Sequence, residues 1–136
     1  MGQVLYQLVF YDNELSYEDH REEFLIGIFS SIEKAEETAE LYLYHVTGFK
    51  DYNCSYGIEG KKVFGKPLHD KVYIFWGWDE NQNMDEVNII ESDCYTRKSE
   101  AKQKMINMRA IHYRTNWCIN QYTIDECLWK NGFVRM

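Results

Sequence analysis

The chain has 136 residues, 45% of them hydrophobic and 16% aromatic, and a net charge of −7 from 22 acidic and 15 basic side chains. That composition predicts a folded domain, because disordered chains lack the apolar surface that offsets ordering entropy. A single proline, Pro67, and eight glycines exclude collagen-like or linker-like chains, and no apolar run nears the ~18 residues of a membrane span.

In chain order, Leu5–Phe10 reads as the first strand, rich in β-branched and aromatic residues. The N-terminus lacks a basic region and a small-residue cleavage site, so no export signal is expected and the protein is placed in the cytoplasm. An acidic loop follows from Asp12 to Glu23, then a second strand over Phe24–Phe29. Ser30-x-x-Glu33 fits a capping box, and Ile32, Ala35, Ala39, Tyr42 and Val46 recur at spacings of three and four, one face of a helix ended by Gly48. Asn53–Tyr56 is a third strand, and Gly57–Asp70, with Gly60, Gly65 and Pro67, reads as the linker region. Val72–Gly77 then opens a second series: an acidic stretch to Glu86, a strand over Val87–Tyr95, and a helix capped by Thr96 with Ala101, Met105 and Met108 inward. A last strand falls around Trp117–Asn120.

The two series share an order, strand–strand–helix–strand. Ser30–Ala35 matches Thr96–Ala101 at an offset of 66 residues, and Asn53–Tyr56 parallels Trp117–Asn120. Each half alone leaves much sheet uncovered. The expectation is an α+β fold: one domain over 1–136 of two pseudo-repeats, 3–59 and 71–133, with a linker at 60–70. The repeats would fuse into one mainly antiparallel sheet structure with about two main helices.

At these residues the chain resembles a group of small bacterial domains of unknown function. The resemblance rests on Leu5-Tyr6, on Ile26-Gly27-Ile28-Phe29-Ser30-Ser31 leading into a helix with Ala35, on Gly48-Phe49, and on the tail Trp129-Lys130-Asn131-Gly132-Phe133. The features of one family copy are thus spread over both repeats, start in the first and end in the second. Ser92–Thr96 departs from the Ile-Gly strand. Some of the domains it resembles are similar to immunity proteins encoded beside toxins.

No catalytic signature emerges. Cys54 with His45 and Cys118 with His112 are the nearest nucleophile–base pairs, and core cysteine plus surface histidine explains both. No Walker or dinucleotide loop is present. The four cysteines form no C-x-x-C pair, so neither a metal nor a cofactor is expected, and they read as reduced thiols. Direct nucleic-acid binding is not expected either, since that needs clustered Lys and Arg.

Charge is uneven. Residues 1–68 carry twelve acidic and six basic side chains, and 69–136 carry ten and nine. Asp12, Glu14, Glu18, Asp19, Glu22 and Glu23 form the densest acidic cluster and suit a protein partner with a basic surface. Alternation puts Tyr73 and Phe75 on one strand face and Ile74, Trp76 and Trp78 on the other. One face packs on a helix; the other is core between the halves or a platform whose tryptophans anchor a partner. The leading reading is a non-enzymatic inhibitor, an immunity-type protein blocking a cationic, nuclease-like toxin. The alternative is a phage-type anti-defence protein that inhibits a host defence protein or sequesters a nucleotide-like signal, with Arg97, Lys98, Lys102, Arg109 and Arg114 as the anionic-ligand site.

Overall fold

A computed structural model describes residues 3–17, 20–84 and 86–134; of 14–17 and 20–22 it describes the backbone alone. Among the described residues there are seven strands and two helices: β1 (Val4–Tyr17), β2 (His20–Phe29), α1 (Ile32–His45), β3 (Cys54–Phe64), β4 (Lys71–Glu80), β5 (Glu86–Glu91), β6 (Cys94–Tyr95), α2 (Lys98–Ile111) and β7 (Asn116–Thr123). The fold is α+β and its strand pairing is mainly antiparallel.

The chain divides into two compact units with unexpected boundaries. Val4–Lys61 joins the tail from Ile124 onward, and Gln3 joins Lys62–Thr123. The tail read as the end of the second repeat therefore belongs with α1. Gly57–Phe64, read from its glycines as linker, instead continues β3.

In the α1 unit, β1 lies between β2 and β3. The β1–β2 pairing runs on past Phe10↔Phe24 to Tyr11↔Glu23, Asp12↔Glu22 and Tyr17↔His20. The acidic segment is thus mostly a hairpin and not a loop. Period-two alternation puts Leu8 and Phe10 on the face toward α1, where both are fully buried with Phe24, Ile26, Ala35, Ala39, Tyr42 and Phe49. The helix residues are those the spacing picks out, except Ile32, which is exposed at the first turn.

The cap differs by one residue. Ser31, not Ser30, accepts from the Lys34 amide at 3.2 Å. Ser30 is otherwise engaged: its amide donates to Asp125 at 2.8 Å and its hydroxyl at 2.9 Å. The tail continues along the outer edge of β2, the Asp125 and Leu128 amides donating to the Ile28 and Ile26 carbonyls at 2.8 and 2.7 Å. Phe133 then stacks on Phe24, with centroids 4.5 Å apart, and meets Phe49 edge-on at 5.0 Å.

In the α2 unit, β4 pairs along one edge with β7 from Lys71↔Thr123 to Trp78↔Asn116. Its other edge takes β6 at Tyr73↔Tyr95 and β5 at Trp76↔Glu91. The run predicted as one strand over Val87–Tyr95 is broken at Ser92. The Ser92 hydroxyl accepts from the Phe75 amide at 2.9 Å, its own amide donates to the Phe75 carbonyl, and β6 then pairs in parallel with the end of β3. Helix α2 packs on β4 and β6. Its N-cap is Arg97, without a side-chain cap bond, one residue after the expected Thr96. Ala101 is buried and Met105 and Met108 are half-buried.

Gly132 has φ +73°, and a Cβ there would lie 1.8 Å from the Thr47 carbonyl oxygen. Gly132→Ala is expected to lower stability by roughly 2 kcal/mol or more, through backbone strain and through loss of the Phe133 docking. Gly57→Ala is the contrast: its Cβ would make ordinary 3.6 Å contact with the Tyr11 ring, and its melting temperature should match or exceed wild type. Thermal unfolding of both variants checks this.

Candidate functional site

One charge of the acidic hairpin is not presented as the sequence suggests. Asp12 is fully buried, because it shares the β1 face of Leu8 and Phe10. Glu23 is exposed. The side chains of Glu14, Glu18, Asp19 and Glu22 lie outside the described residues.

A second acidic surface, which sequence reading did not single out, is formed by α1. Glu33, Glu36, Glu37 and Glu40 are all exposed. Glu33, Glu37, Glu40 and Tyr44 follow at spacings of four, three and four, so they share one helical stripe, with Leu41 beside it. Tyr44 is 72% and Leu41 52% exposed. Lys34 is the one Lys or Arg in α1, and its ammonium is taken by Asp125 at 3.1 Å. Among the described residues none of the four glutamates forms an ion pair. The signal was legible in the sequence as the outward complement of the Ala35–Ala39–Tyr42 face.

The tryptophans of β4 are half-buried, not an open platform. On their face Val72 and Ile74 are fully buried, and the indole nitrogens of Trp76 and Trp78 are buried as well.

The five basic residues proposed as an anionic-ligand site are brought together only in part. Arg97 and Lys98 stand at the start of α2, and the Arg97 guanidinium donates to the Lys66 carbonyl at 3.0 Å. Arg97 and Arg109 are twelve residues apart, about 18 Å along a helix, so one small ligand cannot engage both. Lys102 is exposed midway. Arg109 and Arg114 do converge. They line a cleft of about 440 Å³ with Ile106, Ala110, Tyr113 and Trp117.

The cleft walls are held by polar contacts. Arg114 donates through Nη1 to its neighbour Tyr113's carbonyl at 2.7 Å and through Nε to the Asn88 carbonyl. Asn88 and Thr115 in turn bond the Asp79 carboxylate, the Thr115 amide at 2.8 Å and its hydroxyl at 2.9 Å. Those Thr115 bonds, with Asn88 and the Arg114 charge, hold the Asp79 carboxyl below its ordinary 3.8. The Trp117 indole N–H donates to the Arg114 carbonyl at 3.1 Å. A Cβ on Gly77 would lie 2.7–2.8 Å from three carbons of the Trp117 ring, so that ring lies flat on the Gly77 backbone.

The Cys118 thiol is not activated as a nucleophile. Burial, then the charge of Glu86, pushes the Cys118 thiol up, the opposite of activation. Cys94 is buried, and Cys54 and Cys127 are half-buried; none of the four cysteines is joined in a disulfide. Among the described residues no three His, Cys, Asp or Glu side chains gather as metal ligands, and no helix is long and apolar enough to cross a membrane. Compared with protein-family profiles, curated proteins and solved structures, the chain matches none.

Asp125 supplies a pH test of the tail. Partial burial pushes its carboxyl up, but the Ser30 amide and hydroxyl and Lys34 outweigh this and hold it below 3.8. A depressed folded value means stability that is present above the ordinary carboxylate range and lost as pH falls through the folded value. Asp125→Asn should therefore lower stability at neutral pH by about 1 kcal/mol, the carboxylate being partly solvated. The gap to wild type should close on acidification well below 3.8. Denaturant unfolding of both proteins across that range checks it.

Proposed function

We propose that the chain is a non-enzymatic binding protein of the immunity type, which inhibits a basic, nuclease-like toxin by covering its cationic surface. The observation that carries this reading is the exposed α1 stripe, Glu33, Glu37 and Glu40 beside Leu41 and Tyr44. An enzyme that cuts nucleic acid needs Lys and Arg to meet phosphates. An acidic face is complementary to that surface and speeds its capture. Charge alone gives rate more than affinity, and an exposed tyrosine with a leucine beside it supplies the apolar anchor that slows release. Asp125 supports the same reading, since by pairing with Lys34 it removes the one cation from the helix.

The test is capture of the partner from the source cell, followed by binding of the purified partner to immobilised protein at two salt concentrations. The Glu33→Lys, Glu37→Lys, Glu40→Lys variant should associate at least about tenfold more slowly at low salt and lose most of the salt dependence. Tyr44→Ala should mainly raise the dissociation rate. Melting temperatures of both should move little, because exposed surface changes are worth about 0.5 kcal/mol or less. Capture of no basic protein, or an on-rate and salt slope unchanged in the triple variant, would overturn the proposal.

A further inference from the structure

We infer that the cleft between the end of α2 and the start of β7 is a binding site for a small anion with an aromatic base, of the nucleoside monophosphate class. This rests on residues other than the α1 stripe and is independent of the inhibitor reading.

Four observations converge. The cleft measures about 440 Å³, within the ~300–1,000 Å³ span of small-ligand pockets. It holds two guanidiniums. Arg109 is exposed and makes no hydrogen bond or ion pair among the described residues. Its planar fork is therefore free for two phosphate oxygens. Arg114 is already fixed against the Asn88 carbonyl, itself steadied by the Asp79 network. It needs little ordering on binding, which favours affinity.

The third observation is aromatic. Trp117 lies flat on Gly77 and is pinned by its indole N–H, a rigid surface on which a base can stack. Tyr113, 79% exposed, stands at the rim as a second ring. The fourth is local charge. Residues 98–114 carry Lys98, Lys102, Lys104, Arg109 and Arg114 against Glu100 alone, in a chain whose net charge is −7. The C-terminal carbonyls of a helix disfavour an anion; Arg109 in the last turn of α2 and Arg114 just beyond it reverse that sign.

Apolar Ile106 and Ala110 complete the lining. Two cations for a phosphate and an aromatic–aliphatic wall for a ring fit a nucleotide better than a bare anion, which would leave the wall unused.

Calorimetric titration of the full chain with AMP, GMP, CMP and UMP tests this, with adenosine and inorganic phosphate alongside. At least one nucleotide should bind saturably, and adenosine and phosphate should each bind at least about tenfold more weakly. Arg109→Ala should weaken the nucleotide by about tenfold or more, and Tyr113→Ala by several-fold. Both side chains are exposed, so circular dichroism should show native folding. The α1 triple reversal should leave nucleotide binding unchanged, which separates failure here from failure of the inhibitor reading. No saturable binding by any of the four nucleotides at millimolar concentration would overturn the inference. So would equal binding by Arg109→Ala, or phosphate binding as tightly as the nucleotide.

Discussion

The α1 unit is completed by a segment that the chain supplies only at its end. Leu128 and Asp125 amides cap the outer edge of β2 through the Ile26 and Ile28 carbonyls. The Asp125 carboxylate takes the Ser30 amide ahead of the helix, and the Leu128 carbonyl takes the buried Tyr42 hydroxyl at 2.6 Å. The Ile26 and Ile28 carbonyls would otherwise be an open sheet edge and the Tyr42 hydroxyl a buried donor without a protein partner, and such groups are expensive to leave unmade. Tyr42 shows the depth of the enclosure: burial first, then the neighbouring Cys127, pushes its phenol up to about 12. The ring cluster of Phe24, Phe49 and Phe133 is assembled by the same return, and Gly132 lets it close against Thr47.

That return also explains which parts of the fold could be read directly. Strand and helix identities follow from local pattern. Val4–Phe10 is apolar on both faces, and Ala35, Ala39 and Tyr42 mark one side of a helix. Boundaries set by distant partners were not legible. Ser30 looks like the better cap, until Asp125 engages it from 95 residues away and the cap passes to Ser31. Gly57 and Gly60 look like linker, yet β1 gives them a strand to pair beside. Trp129–Phe133 sits after the second series in the chain and packs against the first. Its likeness to a closing motif was readable; its destination was not, because nothing in a linear pattern says where a tail docks.

The candidate sites divide the same way. Asp12 counts as a surface charge until the period of β1 turns it inward. Arg97 and Arg109 look like one basic group until the rise of the helix separates them. Trp117 becomes a cleft wall only through register: β4 and β7 pair Gly77 with Trp117, and only a residue without a side chain allows the ring to lie there. By contrast, the α1 stripe needed no tertiary information. It is the polar complement of the pattern that marks the helix, and in the sequence it is less conspicuous than the denser acidic run at residues 12–23.

Charge placement follows from these packing facts. Helix α1 keeps four exposed glutamates and pairs its one lysine with Asp125; helix α2 keeps three lysines and one arginine with a single glutamate. Asp125, Asp79 and Asp51 are engaged by nearby donors and held in their charged form. They position neighbours and are spent locally. The glutamates of α1 and the lysines of α2 lie on open helix faces, where the sequence can vary them without disturbing the core. A fold built this way separates the residues that hold it together from the charges on its open helix faces. Asp125 is the point where the two meet: the carboxylate that ties the tail to the helix entry also pairs with Lys34, so closing the α1 unit leaves glutamates as the unpaired charges along the helix.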